Sequence, residues 1–332
     1  FNNPPAKAQE IISAGDVPLG TQGNLFGITG GEGTGKSNYV AAIVAGCICP
    51  AGADIDTLGI QITANGRHKA VLLYDTEQSE VQLFKNVSNL LARAKQPDKP
   101  DELKAFCLTG MSRKERLNAI VQSMDKFYYQ YGGIQLVVID GIADLVKSAN
   151  DEAESVAVID ELYRLAGIYN TCILCVLHFV PNGLKLRGHL GSELQRKAAT
   201  ILSIEKDEEP AQSVVKALKV RDGSPLDVPL MLFAWDKEAG MHVYKGEKPR
   251  EEKEKRKERE LVNVARDIFG RQTRITYIDL CEQLQQVLDI KERTAKSYIR
   301  FMRERNIITK DTANQSCFVI GSYNLRWNTS CP

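Results

Sequence analysis

The chain is 332 residues long, 43% hydrophobic and 26% charged, with a net charge of +1, which is enough for a full α/β core and a small second domain. No apolar run approaches the roughly 20 residues of a membrane-spanning helix and no signal-peptide pattern opens the chain, so a soluble, cytoplasmic protein is expected. The eight cysteines are scattered through apolar stretches, which argues against a disulfide framework and suits reduced thiols. Cys172-Ile-Leu-Cys175 has C-x-x-C spacing but lies inside a continuous apolar run, as a buried strand would. Charge is unevenly shared: residues 250–332 hold 17 Lys and Arg against 12 Asp and Glu, so the tail is net +5 and the remainder net −4. The first residue is Phe rather than Met, as in a fragment or a processed product.

Residues 1–23 carry Pro4-Pro5, Gly15-Asp16, Pro18, Gly20 and one apolar patch at Ile11-Ile12. They read as a lead-in segment that packs across the core or against a neighbouring subunit. Asn24 to Thr29 reads as a short buried strand, and Lys36 to Ala45 as an Ala-rich helix. Between them stands Gly30-Gly31-Glu32-Gly33-Thr34-Gly35-Lys36-Ser37, which matches G-x-x-x-x-G-K-[ST] without departure. Glycines at these places let successive backbone N–H groups converge on phosphates, and the helix N-terminus points at the anion. Residues 31–37 therefore form a candidate cradle for ATP, with Gly31, Glu32, Gly33, Thr34 and Gly35 supplying the loop. Lys36 reaches the β- and γ-phosphates and Ser37 holds Mg2+.

A short strand and turn follow at Leu58–Ile62 and 64–67, then a buried strand at 69–74 ending in Asp75-Thr76-Glu77-Gln78. A carboxylate at a strand end beside the phosphate loop is where a water-activating base belongs, and Glu77 is the candidate. The competing reading makes Asp75 and Glu77 caps of the helix expected over 79–94. A polar loop at 98–102, a short strand at 105–108 and a helix over 113–131 come next. Gly133 to Asp140 is an apolar run ending in an acid, the Walker B pattern, in which Asp140 accepts hydrogen bonds from Mg2+-bound water. The loop over 141–150 carries Lys147, and 152–168 is an amphipathic helix. Thr171 to His178 is another buried strand, and a polar residue at its end, His178, is placed to touch the γ-phosphate. The loop over 181–192 is glycine-rich and cationic, with Lys185, Arg187 and His189, as a grip on a phosphodiester backbone would be. Further strands are expected at 200–205, 214–220, 228–235 and 241–244, the later ones antiparallel. Lys219-Val-Arg221 places two cations on one strand face.

With the phosphate loop, Glu77, Asp140, His178 and Lys219-x-Arg221 in this order, the chain resembles the RecA-like hexameric helicases, in particular the plasmid RepA-type and DnaB-type replicative helicases, over roughly residues 15–245. The resemblance implies a mainly parallel twisted sheet and an ATP site lying between subunits of a ring homo-oligomer. It also implies that Arg221 is a finger on the neighbour's transferring phosphoryl group, with Lys219 as companion. Loops 141–151 and 181–192 then face the ring's channel and single-stranded DNA, through Lys147, Lys185 and Arg187. Arg187-Gly-His-Leu-Gly-Ser192 is similar to the Arg-Gly-Ser-type segment of RepA-like proteins, with extra residues between its first glycine and its serine.

The Lys/Glu/Arg run at 246–260 reads as a linker. Beyond it, three helices and the strand pair 307–310 and 316–320 read as a winged helix over 261–325. Its third helix buries Ala295, Tyr298, Ile299 and Met302 and presents Arg293, Lys296 and Arg300 outward, an arrangement suited to duplex DNA. A protein-docking role for the same module is the competing reading. The expectation is thus an α/β RecA-like P-loop core at 1–245 followed by a winged helix. Its function is an ATP- and Mg2+-dependent helicase on single-stranded DNA in plasmid, phage or mobile-element replication. Its partners are its own copies and, as a candidate, a primase or initiator, with no membrane. A RecA-type recombination ATPase and an ATP-gated DNA-binding regulator are the alternatives.

Overall fold

The apolar runs at 24–30, 70–75, 134–140 and 172–178 are neighbouring strands of one sheet, buried on both faces. A computed structural model describes residues 7–178, 188–207, 211–249, 253–312 and 314–321. In chain order the first unit, which ends at Lys248, holds β1 (Glu10–Ala14), β2 (Val17–Thr21), β3 (Asn24–Gly30), α1 (Lys36–Ile48), β4 (Gln61–Ile62), β5 (Ala70–Asp75), α2 (Glu80–Arg93) and β6 (Leu103–Cys107). It continues with α3 (Arg113–Tyr131), β7 (Ile134–Asp140), a 3-10 turn (Ile142–Leu145), α4 (Glu152–Ile168), β8 (Cys172–His178), α5 (Gly188–Lys197), β9 (Thr200–Lys206), β10 (Gln212–Val220), β11 (Leu230–Asp236) and β12 (Met241–Lys248). The nine-stranded sheet runs β12-β11-β10-β9-β3-β8-β7-β5-β6. From β9 to β6 every pairing is parallel, and β10, β11 and β12 are added antiparallel.

Alternation along each central strand divides its side chains between two cores. Leu136 and Val138 of β7 join Phe26, Ile28, Ile43 and Leu83 on one face, while Val137 and Ile139 join Leu25, Ile120, Ile159 and Leu194 on the other. Cys172 and Cys175 are both buried in β8, as the apolar run requires, and burial pushes the Cys175 thiol up to about 12. Among the described residues no helix is long and apolar enough to cross a membrane.

The lead-in at 10–21 packs on this chain's own core, one of the two expectations for it: it forms the β1–β2 hairpin, which takes β4 as a third strand and buries Ile11, Ile12 and Leu19. The cause is the pair of β-branched residues at 11 and 12, whose burial outweighs the prolines and glycines around them. The loop expected to run to Ser192 stops earlier, since Gly188 to Lys197 is the helix α5, with Leu190 and Leu194 buried one turn apart. His189 and Ser192 therefore belong to a helix, and Lys185 and Arg187 lie outside the described residues. The span expected as a linker is divided, because β12 continues to Lys248 and a helix begins at Lys253. Lys, Glu and Arg are good helix formers, and the amphipathic sequence after them extends the helix back through the charged run.

The second unit, from Pro249 onward, is built from α6 (Lys253–Arg271), β13 (Ile275–Thr276), α7 (Tyr277–Leu288), α8 (Glu292–Glu304), β14 (Ile308–Lys310) and β15 (Cys317–Ile320). Its strands form a separate antiparallel sheet in the order β13-β15-β14. The unit has its own core of Leu261, Ala265, Ile268, Leu280, Leu284, Ile299, Met302 and Phe318. On α8, Ala295, Ile299 and Met302 are buried while Arg293, Lys296 and Arg300 are exposed.

One buried ion joins distant parts of the first unit. Arg93, at the end of α2, is 6% exposed. It donates to the carbonyl of Asp56 at 2.8 Å and to that of His242 on β12, and burial holds its pKa below the usual guanidinium range. Replacing it removes a donor from two partly buried carbonyls. Arg93→Leu is expected to cost about 2–3 kcal/mol, read as a lower urea midpoint at unchanged slope.

Candidate functional site

Parallel strands that share one direction bring their C-terminal ends to one edge, and ligands of such sheets bind there. In this sheet Gly30 of β3 is in register with His178 of β8 and with Ile204 of β9. On the other side Asp140 of β7 is in register with Asp75 of β5. The phosphate loop, the Walker B acid and the ends of β5 and β8 thus meet over four neighbouring strand tips. They line a cleft of about 310 Å3 that contains Glu32, Gly33, Thr34, Gly35, Lys36, Ser37, Glu77, Asp140 and His178.

Loop geometry explains the order. The N-terminus of α1 is capped by Gly35 in a left-handed conformation with no side-chain cap, so its first N–H groups are left for an anion. The Thr34 hydroxyl donates to the Gly31 carbonyl at 3.0 Å. Lys36 is buried and donates to the carbonyls of Gly30 at 3.0 Å and Gly31 at 2.6 Å. Desolvation lowers its pKa, and the Asp140, Glu77 and Glu32 carboxylates act against that. Ser37 is exposed at the first turn.

Opposite the loop stand three carboxylates. Asp75, 3% exposed, accepts from the backbone N–H of Glu77 at 3.0 Å and of Gln78 at 2.8 Å. It therefore shapes the turn that carries Glu77 and does not cap α2, a task taken by Ser79, which accepts from the Gln82 N–H. Glu77 faces His178, Oε2 to Nε2 at 3.3 Å. The expected base and the expected γ-phosphate contact are thus a hydrogen-bonded pair. Asp140 is pushed up to about 7, first by burial and then by the Asp75 and Glu77 carboxylates, with His178 and Lys36 opposing. Such a crowded acid set fits a cation-bound polyphosphate: Ser37 and Asp140 would hold the Mg2+, and the ion would supply the positive charge that the three acids share.

Several participants carried no sequence signal of their own. Thr76 ties the ends of β5 and β7 together, its hydroxyl donating to the carbonyls of Asp140 at 3.0 Å and Gly141 at 2.8 Å. Gly141 has φ 98°, and a Cβ there would lie 2.3 Å from the Thr76 hydroxyl oxygen and 2.7 Å from Glu77 Cγ. It is glycine because Glu77 occupies the space. His242 of β12 also lines the cleft, although two hundred residues separate it from the phosphate loop in sequence.

Lys219 and Arg221 do not reach this cleft. Lys219 lies near the end of β10 and Arg221 just past it, where Val220 is in register with Thr200 at the start of β9. That is the opposite end of the sheet. Lys219 donates to the Gln195 and Arg196 carbonyls, and Arg221 to the Lys197 carbonyl and to Asn24. Lys219 has a lowered pKa from desolvation and from the neighbouring Arg221. Lys147 is exposed in the segment after the 3-10 turn. Of the α8 cations, Lys296 pairs with Glu292 at 2.7 Å and Arg300 with Glu304 at 2.9 Å, while Arg293 is exposed.

A family model described as an AAA domain matches residues 1–182, the stretch holding the loop, Glu77, Asp140 and His178. The chain belongs to that family. This AAA-domain protein is accordingly a nucleotide-binding ATPase of the P-loop kind, with a mostly parallel central sheet. No curated protein matches the chain.

Two outcomes follow for the AAA-domain site. Gly141→Ala is expected to displace Glu77 and lower kcat for ATP hydrolysis by about 10²-fold while leaving ATP affinity near wild type, measured by steady-state kinetics beside equilibrium binding. The second concerns Asp140, whose folded pKa lies above its unfolded value. It favours the fold fully only below the unfolded value, and that stability is lost as pH rises through about 7. Asp140→Asn is therefore expected to stabilise the nucleotide-free protein at pH 8 by on the order of 2–4 kcal/mol. The gain should shrink between pH 7 and pH 4, as followed by thermal melts.

Proposed function

We propose that the protein is an ATP-driven translocase and helicase on single-stranded DNA, acting as a ring of identical subunits in plasmid, phage or mobile-element replication. The observation that carries this reading is the position of Lys219 and Arg221. Both are cations at the end of the sheet far from their own phosphate loop, and their hydrogen-bond partners are carbonyl and amide oxygens. Neither can serve the chain's own nucleotide, whereas a head-to-tail neighbour would receive them at its cleft. An arginine delivered in this way neutralises charge on the transferring phosphoryl group and is worth about 10³–10⁵ in rate.

Within one subunit, bound ATP with Mg2+ brings the phosphoryl group and its neutralising charge. Lys36 and the open N-terminus of α1 bind and orient the phosphates. Glu77 positions the attacking water and takes its proton, held in place by Asp75 and by the absence of a side chain at Gly141. His178, hydrogen-bonded to Glu77, ends β8 beside the loop, so a change in the position of Glu77 would be felt at the end of β8. Lys147 lies beyond the end of β7 on the other side of Asp140 and is the described candidate for a DNA phosphate contact; Lys185 and Arg187 belong to the same proposal. In the second unit, the order helix, strand, helix, helix, strand, strand supports a winged helix, whose α8 would offer Arg293, Lys296 and Arg300 to duplex DNA. Pairing of Lys296 and Arg300 with carboxylates on the same helix costs little to release at an exposed surface.

Mixing two defective proteins tests the shared site. Lys36→Ala is expected to bind no nucleotide, and Arg221→Ala to bind it without rapid hydrolysis. Their mixture should recover single-strand-stimulated ATPase, since some interfaces then pair an intact loop with an intact Arg221. A wild-type rate that ignores random single strands, together with an Arg221→Ala protein of normal activity, would reject the motor and favour an ATP-gated DNA-binding regulator.

A further inference from the structure

The β11–β12 hairpin reaches the nucleotide cleft by direction alone. Strand β9 runs parallel to β3, β10 runs back, and β11 returns in the sense of β3. Its C-terminal end, with Trp235, therefore lies at the same edge of the sheet as the phosphate loop. Phe233 and Trp235 are two apart and share a face. That face is turned towards α1: the Phe233 ring centroid is 5.8 Å from that of Tyr39, and a Cβ on Gly35 would come within 2.8 Å of the Phe233 ring. Across the hairpin Trp235 is in direct register with His242. The His242 ring stands edge-on between the two aromatics, 5.6 Å from Phe233 at 68° and 5.5 Å from Trp235 at 78°.

Buried Phe233 seals the back of the loop, whereas Trp235 is 55% exposed and continues the same aromatic face outward. His242 lines the cleft together with Lys36 and Ser37, and its Nδ1 is buried with no hydrogen-bond partner. An imidazole at the cleft wall beside an exposed indole is an aromatic surface with one open side. A flat heterocycle with hydrogen-bonding edges completes it: its faces stack on aromatic rings and its edge or its ribose meets the imidazole.

We propose that Trp235 and His242 form the nucleobase platform of the cleft, receiving the purine of a nucleoside triphosphate whose phosphates lie on Lys36. The proposal rests on the phosphate-loop reading of the same cleft and adds the subsite that distinguishes a nucleotide from a bare polyphosphate. Arg93, by holding the His242 carbonyl, positions the strand that carries the platform.

The test compares ATP with inorganic tripolyphosphate in the full chain carrying Trp327→Phe, so that Trp235 is the single tryptophan of the two present. ATP is expected to quench Trp235 emission and tripolyphosphate is not. By calorimetry, Trp235→Ala and His242→Ala should each weaken ATP binding by about tenfold and leave tripolyphosphate affinity within about twofold of wild type. Trp235→Phe, which keeps a stacking surface, should retain most of the ATP affinity and so separates lost stacking from lost folding. Equal quenching by both ligands, or an ATP-to-tripolyphosphate affinity ratio unchanged in both alanine variants, overturns the platform while the phosphate loop stands. Binding of neither ligand by the wild type overturns both.

Discussion

Three carboxylates are pressed together at the tips of neighbouring strands, and one buried lysine stands against them. Asp75 and Asp140 are register partners, Glu77 follows two residues later, and Lys36 sits across the cleft. Burial and the neighbouring carboxylates push the Asp140 carboxyl up to about 7. In the protein without ligand this arrangement costs stability. A cation-bound polyphosphate would change its sign, since Asp140 would then meet the cation and Lys36 the phosphates. Much of the surrounding structure serves that concentration of charge. The parallel sheet gathers the strand tips, Thr76 clamps two of them, and Gly141 leaves room for Glu77.

A second constraint comes from sheet direction. A parallel core places every strand's C-terminal end at the cleft, so a cation at the far end is out of reach of its own nucleotide. Lys219 and Arg221 stand at that far end because β10 is the first strand to run antiparallel. The same reversal, repeated once more, returns β11 to the cleft with Phe233, Trp235 and, across the hairpin, His242. Adding antiparallel strands to a parallel core thus separates two roles: one end of the extension faces away, where another copy would be, and the other faces inward, where a base would lie.

The phosphate loop, Asp140 and the central strands were legible in the sequence because their signals are local. A glycine spacing, an apolar run and a terminal acid need no knowledge of neighbours. Helices at 113–131 and 152–168 were equally legible, with both boundaries as observed. Pro18 and Gly20 left the lead-in without a strand assignment, and only the burial of Ile11, Ile12 and Leu19 on the core made it a hairpin. An error fell where burial by distant partners outweighs composition. The glycines at 188 and 191 suggested a loop, yet Leu190 and Leu194 bury one face of α5.

From the sequence alone came the phosphate-binding chemistry, the identity of the loop lysine and the Walker B acid, and the division into an α/β core and a small basic module, because each rests on residue type and short-range spacing. Only the tertiary structure decided which residues share the cleft. The Glu77–His178 hydrogen bond joins positions a hundred residues apart, Gly141 matters through the space it leaves to Glu77, and His242 arrives by strand register. Contacts of this kind are made by the direction and order of strands in the sheet, and no single stretch of chain contains that information.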